Sequence, residues 1–206
     1  MVRRYLLPAA LALLSALAGA QPAEDRLLSE AREAARTGDR ARLATLRDQA
    51  RQAQHPLAPW IDYWALGARL KDAQQGDLDA FYARWPGSYV EDRLRNDWLL
   101  ELGLRRDWAN FRREQPRFRM ADDREVDCYA LLARHVEGEN VRDAAAAAWL
   151  AQRRDDDGCT LLARTLAEAG RFGPAQVWPG VRQAIETNRP RAAIAAAALL
   201  GHEVER

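Results

Sequence analysis

The chain has 206 residues, of which 48% are apolar and 30% charged, a balance that supports a folded core and excludes an intrinsically disordered protein. Its 31 basic and 30 acidic residues leave a formal net charge of +1, so the chain has no general attraction for nucleic acid. The composition is rich in Ala, Leu and Arg and poor in alternating β-branched runs, which favours helices over strands.

The first twenty residues are typical of a secretory signal peptide. Arg3 and Arg4 precede an apolar stretch of twelve residues, Leu6–Leu17, which is too short to span a bilayer. Small residues follow, so we expect cleavage near Ala20 and export of residues 21–206 to the periplasm, without a membrane segment. The alternative is a buried N-terminal helix. No cysteine stands at the cleavage point, so the sequence does not support a lipid anchor.

Capping residues and helix breakers predict eleven helices with short loops in the exported part. In chain order the predicted ranges are about 22–36, 39–51, 56–70, 77–85, 90–105, 107–115, 122–136, 140–153, 159–169, 174–187 and 190–200. The N-caps expected for five of them are Asp39, Asp77, Asp107, Asp122 or Asp123, and Asn140. The ninth helix is expected to begin at about Cys159. Because the loops are short, consecutive helices are expected to lie antiparallel.

A turn between two helices recurs along the chain. The predicted turns are centred on Gly38, Gly76, Arg106, Gly138 and Gly170. The steps from Asp39 to Asp77, Asp107, Asn140 and Arg171 are 38, 30, 33 and 32 residues, and such a period with two helices per unit is typical of a helical solenoid. We therefore expect an all-α fold, a right-handed superhelix of antiparallel helix pairs of the TPR-like α-solenoid type, over residues 21–206.

Cys128 and Cys159 are the two cysteines of the chain. In a reducing cytosol they would be inert core thiols, whereas in an oxidising compartment an even number of cysteines indicates a disulfide. They are 31 positions apart, about one repeat, and equivalent positions of successive repeats lie side by side. We expect a disulfide between them.

The search for catalytic and metal-binding motifs is negative. The sequence contains no HExxH, no GxSxG, no P-loop and no GxGxxG before a strand. The three histidines, His55, His135 and His202, lie far apart in the sequence. The acidic runs lack the spacing of a calcium loop, so we interpret these runs as helix caps and solvated turns. We therefore predict no catalytic, cofactor-binding or metal-binding residue in this chain.

The seven tryptophans have two interpretations. A row of indole rings can stack on sugar rings, which is one way of binding glycans. More often such side chains fill the space between helix pairs. We expect most of them to lie in the core.

Several segments carry a resemblance in the same order along the chain. They are His55–Trp64 (HPLAPWIDYW), Trp85–Leu99 (WPGSYVEDRLRNDWL), Leu102–Phe111 (LGLRRDWANF), Asp127–Leu131, Asp157–Cys159, Ala169–Phe172 and Val177–Arg182. These segments resemble the N-terminal, non-catalytic part of the soluble lytic murein transglycosylases. The resemblance covers the chain from about Glu24 to its end.

This resemblance implies a U-shaped superhelical domain that shapes the access of peptidoglycan glycan strands to a separate lysozyme-like domain. In the family that domain carries a catalytic Glu in a Glu-Ser motif, followed by a GLMQ stretch. The Glu protonates the glycosidic oxygen, and the muramyl 6-hydroxyl closes an anhydro ring. Neither motif occurs here, and Ser29-Glu30 has the reverse order. We therefore expect a truncated member or a fragment that does not cleave peptidoglycan alone.

Two other functions fit the same features. The first is a stand-alone periplasmic adaptor that binds a protein or peptide partner in a concave groove. The second is a structural spacer without a ligand. Continuation of the reading frame into a lysozyme-like domain would distinguish the transglycosylase interpretation from the adaptor.

Overall fold

The structure, a computed structural model, describes residues 26–152 and 156–201. The expected signal peptide, residues 1–20, lies outside these ranges. The described residues form eleven α-helices, two short 3₁₀-helices and no strand, which confirms the expected all-α class. The right-handed, TPR-like superhelix remains a prediction.

Two compact units divide the chain, and the first ends at Leu94 while the second begins at Arg95. This boundary falls within the helix Tyr89–Arg105. The single superhelical domain over residues 21–206 stays a prediction. In the first unit the helices are α1 (residues 26–37), α2 (Arg40–Gln52), α3 (Ala58–Gly67), a 3₁₀ turn (Leu70–Asp72), α4 (Gln75–Arg84) and the start of α5 (Tyr89–Arg105).

In the second unit the rest of α5 is followed by six further α-helices. They are α6 (Trp108–Glu114) with a 3₁₀ turn (Gln115–Arg117), α7 (Arg124–Val136), α8 (Arg142–Leu150), α9 (Asp157–Glu168), α10 (Pro174–Glu186) and α11 (Pro190–Ala198). The predicted eighth helix, 140–153, is therefore shorter than expected and begins two residues after Asn140.

The core of the first unit forms where α1, α2 and α3 meet. Leu43, Leu46 and Ala50 are spaced three and four residues apart, so they lie on one face of α2. This face packs against Ala31 of α1 and Ile61 of α3, and all five residues are buried. The two buried residues that α1 contributes to this cluster, Ala31 and Ala34, are both small.

In the second unit, α7 packs against α8 and α9, and α10 packs against α11 and α8. Leu162 and Leu166 of α9 are fully buried and contact a cluster that includes Leu132 of α7 and Val177 of α10. The apolar residues of α9 thus occupy the centre of this unit. Their spacing of four places them on the same helix face.

Within the described ranges, six helices end in the same backbone turn. One residue after the helix adopts a left-handed conformation, with φ between 49° and 91°, and the next N–H donates to a carbonyl five residues earlier. This is the Schellman motif, which satisfies carbonyl groups that the helix end leaves unpaired. The left-handed residues are Gly38, Gln54, Arg106, Gly138, Gly170 and Asn188.

Four of the five predicted turns are such motifs, but the turn predicted at Gly76 is wrong. Gly76 lies in the first turn of α4, and Asp77 is not the N-cap. Instead, the Asp77 carboxylate accepts the N–H of Gln74 at 2.9 Å from a position inside the helix. A carboxylate at the third position of a helix can cap the helix as well as a carboxylate at the residue before it. The pair Gly-Asp therefore has the same composition in a turn and at the start of a helix, and the sequence pattern did not distinguish the two.

Other helix starts follow the expected chemistry. The carboxylate of Asp39 accepts the N–H of Arg42, and Asp107 accepts that of Asn110. Asp123, and not Asp122, caps α7. The ninth helix begins at Asp157 and is capped by Asp156, so Cys159 is not its first residue.

A disulfide bond joins Cys128 of α7 to Cys159 of α9. The two Cα atoms are 4.9 Å apart, and both residues are 0% exposed. The bond therefore lies at the buried contact between two helices that begin side by side. This pairing matches the expectation that equivalent positions of successive repeats are neighbours.

The left-handed turn at Gly38 is expected to be sensitive to a side chain. Gly38→Ala should lower the free energy of unfolding by about 1 kcal/mol, because a Cβ is unfavourable at positive φ. Gly76→Ala is the matched control in the same unit, since its added Cβ meets no atom within 4 Å and its backbone is helical. It should leave stability unchanged or raise it by up to about 1 kcal/mol. Urea denaturation measures both, and equal effects would contradict the assignment of the turn.

Removing the disulfide is expected to be costly. The double variant Cys128→Ser, Cys159→Ser should unfold with a free energy roughly 3–4 kcal/mol lower, because the bond closes a loop of 31 residues. Thiol labelling under denaturing conditions should detect no free thiol in the oxidised wild-type chain and two after reduction. Two reactive thiols in protein purified from an oxidising compartment would contradict the bond.

Candidate functional site

Several polar residues of the resembling segments are buried and paired with other side chains. In the first unit the Asp62 side chain is 1% exposed. Its Oδ2 accepts the indole N–H of Trp85 at 2.8 Å, and its Oδ1 lies 2.6 Å from Arg51 Nη2. A buried carboxylate requires such partners, because an unpaired charge away from water is very unfavourable. The Asp and Trp of the two segments therefore join α3 to the residue that follows α4.

The second unit repeats this arrangement with other residues. The side chain of Glu114 in α6 is 0% exposed and pairs with the buried Arg95 of α5. Arg113 Nε also contacts its Oε1, at 3.2 Å. Asn96 Nδ2 donates to Asp123 Oδ2 at 3.0 Å. These contacts explain Arg95 and Asn96 of the "RLRN" stretch by helix packing.

The tryptophans divide into buried and accessible ones. Trp98 is 1% exposed and lies in the core. Trp64, Trp85, Trp108 and Trp149 pack against the two apolar cores while keeping part of their surface accessible. The majority thus serves packing, as expected, and the partly exposed rings identify surfaces that an aromatic-binding ligand could reach.

A cavity of about 190 Å³ opens on the second unit between α8, α9, α10 and α11, and is here named the Trp149 groove. One side is the indole of Trp149. The floor consists of alanines, among them Ala163 of α9, Ala184 of α10 and Ala196 of α11. Small side chains on three helices leave the space that larger residues would fill.

Gly180 of α10 determines where the indole of Trp149 lies. A Cβ added at Gly180 would come within 2.6 Å of Trp149 Cη2, so the ring rests directly on the α10 backbone. Phe172 supports the ring as well, with centroids 6.1 Å apart. The ring is therefore fixed in position, and its remaining surface forms a rigid side of the groove.

Polar groups, of which one is charged, line the rim of the Trp149 groove. Thr160 and Gln183 are exposed, and Gln152 and Arg189 are partly buried. The Nε2 atom of Gln152 is buried without a hydrogen-bond partner among the described residues. Amides, a hydroxyl and one guanidinium beside an aromatic ring form the combination of apolar and polar contacts that small-molecule sites use.

Accessible aromatic rings also form a patch on the first unit, defined by Trp60, Tyr63, Trp64 and Tyr89. The centroid of Trp60 lies 5.8 Å from that of Tyr63, 6.3 Å from that of Trp64 and 5.9 Å from that of Tyr89. Tyr89 is 60% exposed. The Trp149 groove is a stronger candidate than this Trp60 patch, because it combines an aromatic ring with a cavity of about 190 Å³ and several polar groups.

Among residues 26–152 and 156–201, no group of three or more His, Cys, Asp or Glu side chains is placed to hold a metal ion. None of the helices in these ranges has the length and apolar character needed to cross a membrane. The sequence-predicted site residues, Cys128 and Cys159, are joined in the disulfide and line neither candidate surface.

The fold is similar to that of a solved protein. The neighbour is described as the X-ray structure of an inactive mutant of the lytic transglycosylase Slt from Pseudomonas aeruginosa. The TM-score is 0.63 with 24% sequence identity, and the match covers 85% of this chain and 28% of that chain. At this level of identity the likeness shows the fold alone. No protein-family model and no curated protein matches the chain.

The buried Asp62 is expected to contribute to the stability of the first unit. Asp62→Ala should lower the free energy of unfolding by about 2–3 kcal/mol, because it leaves the indole N–H of Trp85 and the guanidinium of Arg51 without their acceptor. Asp72→Ala is the control, since the Asp72 side chain is 65% exposed and pairs with Arg40 on the surface. It should change stability by less than about 1 kcal/mol.

Thermal and urea unfolding measure both variants. The Trp85 indole N–H resonance provides an independent readout, because it should shift in Asp62→Ala and stay in place in Asp72→Ala. Equal unfolding free energies for the two variants would show that the hydrogen bond between Trp85 and Asp62 does not stabilise the unit.

Proposed function

We propose that this chain is a peptidoglycan-associated helical domain of the lytic transglycosylase type, which holds a glycan strand and shapes its access to a catalytic domain. The observation that carries the proposal is the likeness of fold to the lytic transglycosylase Slt over 85% of this chain. The ordered series of resembling segments, from His55–Trp64 to Val177–Arg182, supports it independently. Binding, and not cleavage, is the role assigned to these helices.

The chemistry of the Trp149 groove fits an N-acetylated glycan. Such a strand presents hydroxyl and acetamido groups, which exchange hydrogen bonds with amides and hydroxyls such as those of Gln152, Thr160 and Gln183. The C–H faces of its sugar rings are apolar and suit the indole of Trp149. The groove is assigned to a segment of glycan on these grounds.

Peptidoglycan lies outside the cytoplasmic membrane, so this function requires export. The stretch from Arg3 to Ala20 has the features of a signal peptide, and the proposed location is the periplasm. The disulfide between Cys128 and Cys159 is consistent with an oxidising compartment. Amino-terminal sequencing of the secreted chain should give a start near Gln21.

A substitution that fills the groove tests the glycan assignment. Ala195 of α11 lines the groove and is exposed, so Ala195→Trp places an indole in the cavity without disturbing the core. Ala198, on the same helix, is exposed but does not line the groove, and Ala198→Trp is the matched control. Co-sedimentation with isolated sacculi and titration with soluble peptidoglycan fragments measure binding. We expect Ala195→Trp to weaken binding about tenfold or more and Ala198→Trp to leave it unchanged.

Three results would contradict this proposal in different ways. Failure of the wild-type chain to bind sacculi would remove the function itself. Loss of binding in Tyr89→Ala, with binding kept in Ala195→Trp, would move the site from the groove to the Trp60 patch. Release of anhydromuropeptides by the purified chain would show that it cleaves glycan as well as holding it.

Exposed apolar residues on the last two helices favour a second candidate, a periplasmic adaptor for a protein or peptide. Trp178 is 39% exposed, Ile185 65% and Ile194 71%. Such residues are enriched in protein interfaces when they adjoin one another. Ile194→Asp should abolish partner binding under this function and leave sacculus binding unchanged under the first.

A further inference from the structure

The first unit contains a separate cavity of about 170 Å³ bounded by residues of α2, α3 and α4, here named the arginine pocket. Its polar lining is dominated by guanidinium groups. The charged residues that line it are Arg47, Arg51, Arg69 and Arg84, with Asp62 and Asp77. The cavity therefore carries two more positive than negative side chains on its walls.

Both carboxylates of the pocket are already engaged by other groups. Asp62 is held by Arg51 and by the indole of Trp85, as described above. Asp77 Oδ1 accepts from Arg69 Nη2 at 2.8 Å, and its Oδ2 accepts the N–H of Gln74. The Arg69 guanidinium and this backbone N–H hold the pKa of Asp77 below its usual range, so its charge persists at neutral pH.

The guanidinium groups keep more donors than these carboxylates use. Each guanidinium has five N–H donors in a planar fork. Arg84 Nη1 is 3.7 Å from Asp62 Oδ2, a distance longer than a hydrogen bond. Arg69 reaches Asp77 with one nitrogen. Donors of both side chains thus remain for a further acceptor.

Ion pairs within the protein do not balance the positive charge of the four arginines of the pocket. Asp48 stands beside the pocket and pairs with Arg47 at 2.9 Å, with Arg51 4.0 Å away. Counting Asp48, four guanidinium groups still face three carboxylates. The buried Asp62 accounts for Arg51. The ion pairs of Arg47 and Arg69 join partly exposed side chains and contribute about 0–1 kcal/mol each, so the stability of the unit does not explain why Arg69 and Arg84 also converge on this cavity.

We propose that the arginine pocket binds a small oxyanion, a carboxylate or phosphate group carried by a ligand, between Arg69 and Arg84. Guanidinium groups bind both kinds of oxyanion in a bidentate manner, because their parallel N–H groups match two oxygens. The cavity is large enough for one such group with its nearest substituents. The inference is independent of the glycan assignment, since it concerns other residues in the other unit.

The probes for this site are inorganic phosphate and glutarate, a dicarboxylate, added to the purified full chain. Isothermal titration and the arginine Nε–H resonances report binding at a fixed ionic strength. We expect the Arg69 and Arg84 resonances to shift, and Arg69→Gln or Arg84→Gln to weaken the affinity about tenfold. Raising the salt concentration should weaken binding in the wild type.

Arg42→Gln is the matched control, because the Arg42 side chain is 49% exposed, close to the 45% of Arg84, and pairs with Glu30 away from the pocket. It should bind both probes as the wild type does. Ala195→Trp should also bind both probes as the wild type does. Binding of the probes in the arginine pocket therefore remains testable even if the glycan function is wrong. Tighter binding of glutarate identifies a carboxylate ligand, and tighter binding of phosphate identifies a phosphate ligand.

Two results would overturn the inference. One is the absence of any shift of the Arg69 and Arg84 resonances with either probe. The other is equal weakening in Arg42→Gln and Arg84→Gln, which would show attraction to basic side chains in general. The resonance shifts are read in the wild-type chain, so they decide the question even if a variant folds poorly.

Discussion

The chain of this protein can reverse its direction after a helix because a single residue there adopts a left-handed backbone conformation. The N–H of the following residue then donates a hydrogen bond to a carbonyl of the last helical turn. The N–H of Asp39 donates to the carbonyl of Ala34, and the N–H of Arg171 donates to that of Leu166. The chain thereby reverses within a few residues and keeps its backbone groups paired. The apolar faces of neighbouring helices meet only because these connections are so short. Both units depend on this turn, although their core residues differ.

Charged side chains fix the contacts that apolar residues alone leave adjustable. Asp62 and Glu114 have almost no contact with water, and each is surrounded by arginine. Moving a helix would separate a buried charge from its partner, which is far more costly than a small change in apolar packing. In the first unit this requirement has a second effect, because the arginines gathered around Asp62 also face an open cavity. The same residues thus connect the packing of the helices with a surface suited to anions.

The sequence was most informative where one residue type has one structural role. Aspartates before apolar stretches predicted the caps at Asp39 and Asp107, and glycines predicted the turns at Gly38 and Gly170. It misled at Gly76, because a helix start and a turn have the same composition there. The left-handed turns at Gln54 and Asn188 were missed, because neither residue is a glycine and neither is followed by a capping aspartate, as Arg106 is.

The candidate sites were harder to predict than the fold. The alanines that line the Trp149 groove look the same in the sequence as alanines in a close helix contact. The carboxylates of Asp62 and Glu114 look like solvated surface charges until their neighbours are known. Cavities and buried ion pairs arise from residues far apart in the chain, so local patterns do not reveal them.

The buried position of the bond between Cys128 and Cys159 has a kinetic consequence. Both residues are fully enclosed, so a reducing thiol cannot reach either sulfur while α7 and α9 remain packed. Attack must wait for a transient separation of the two helices, and its rate therefore reports how often that separation occurs. The rate of reduction of this disulfide therefore measures the opening motions of the second unit.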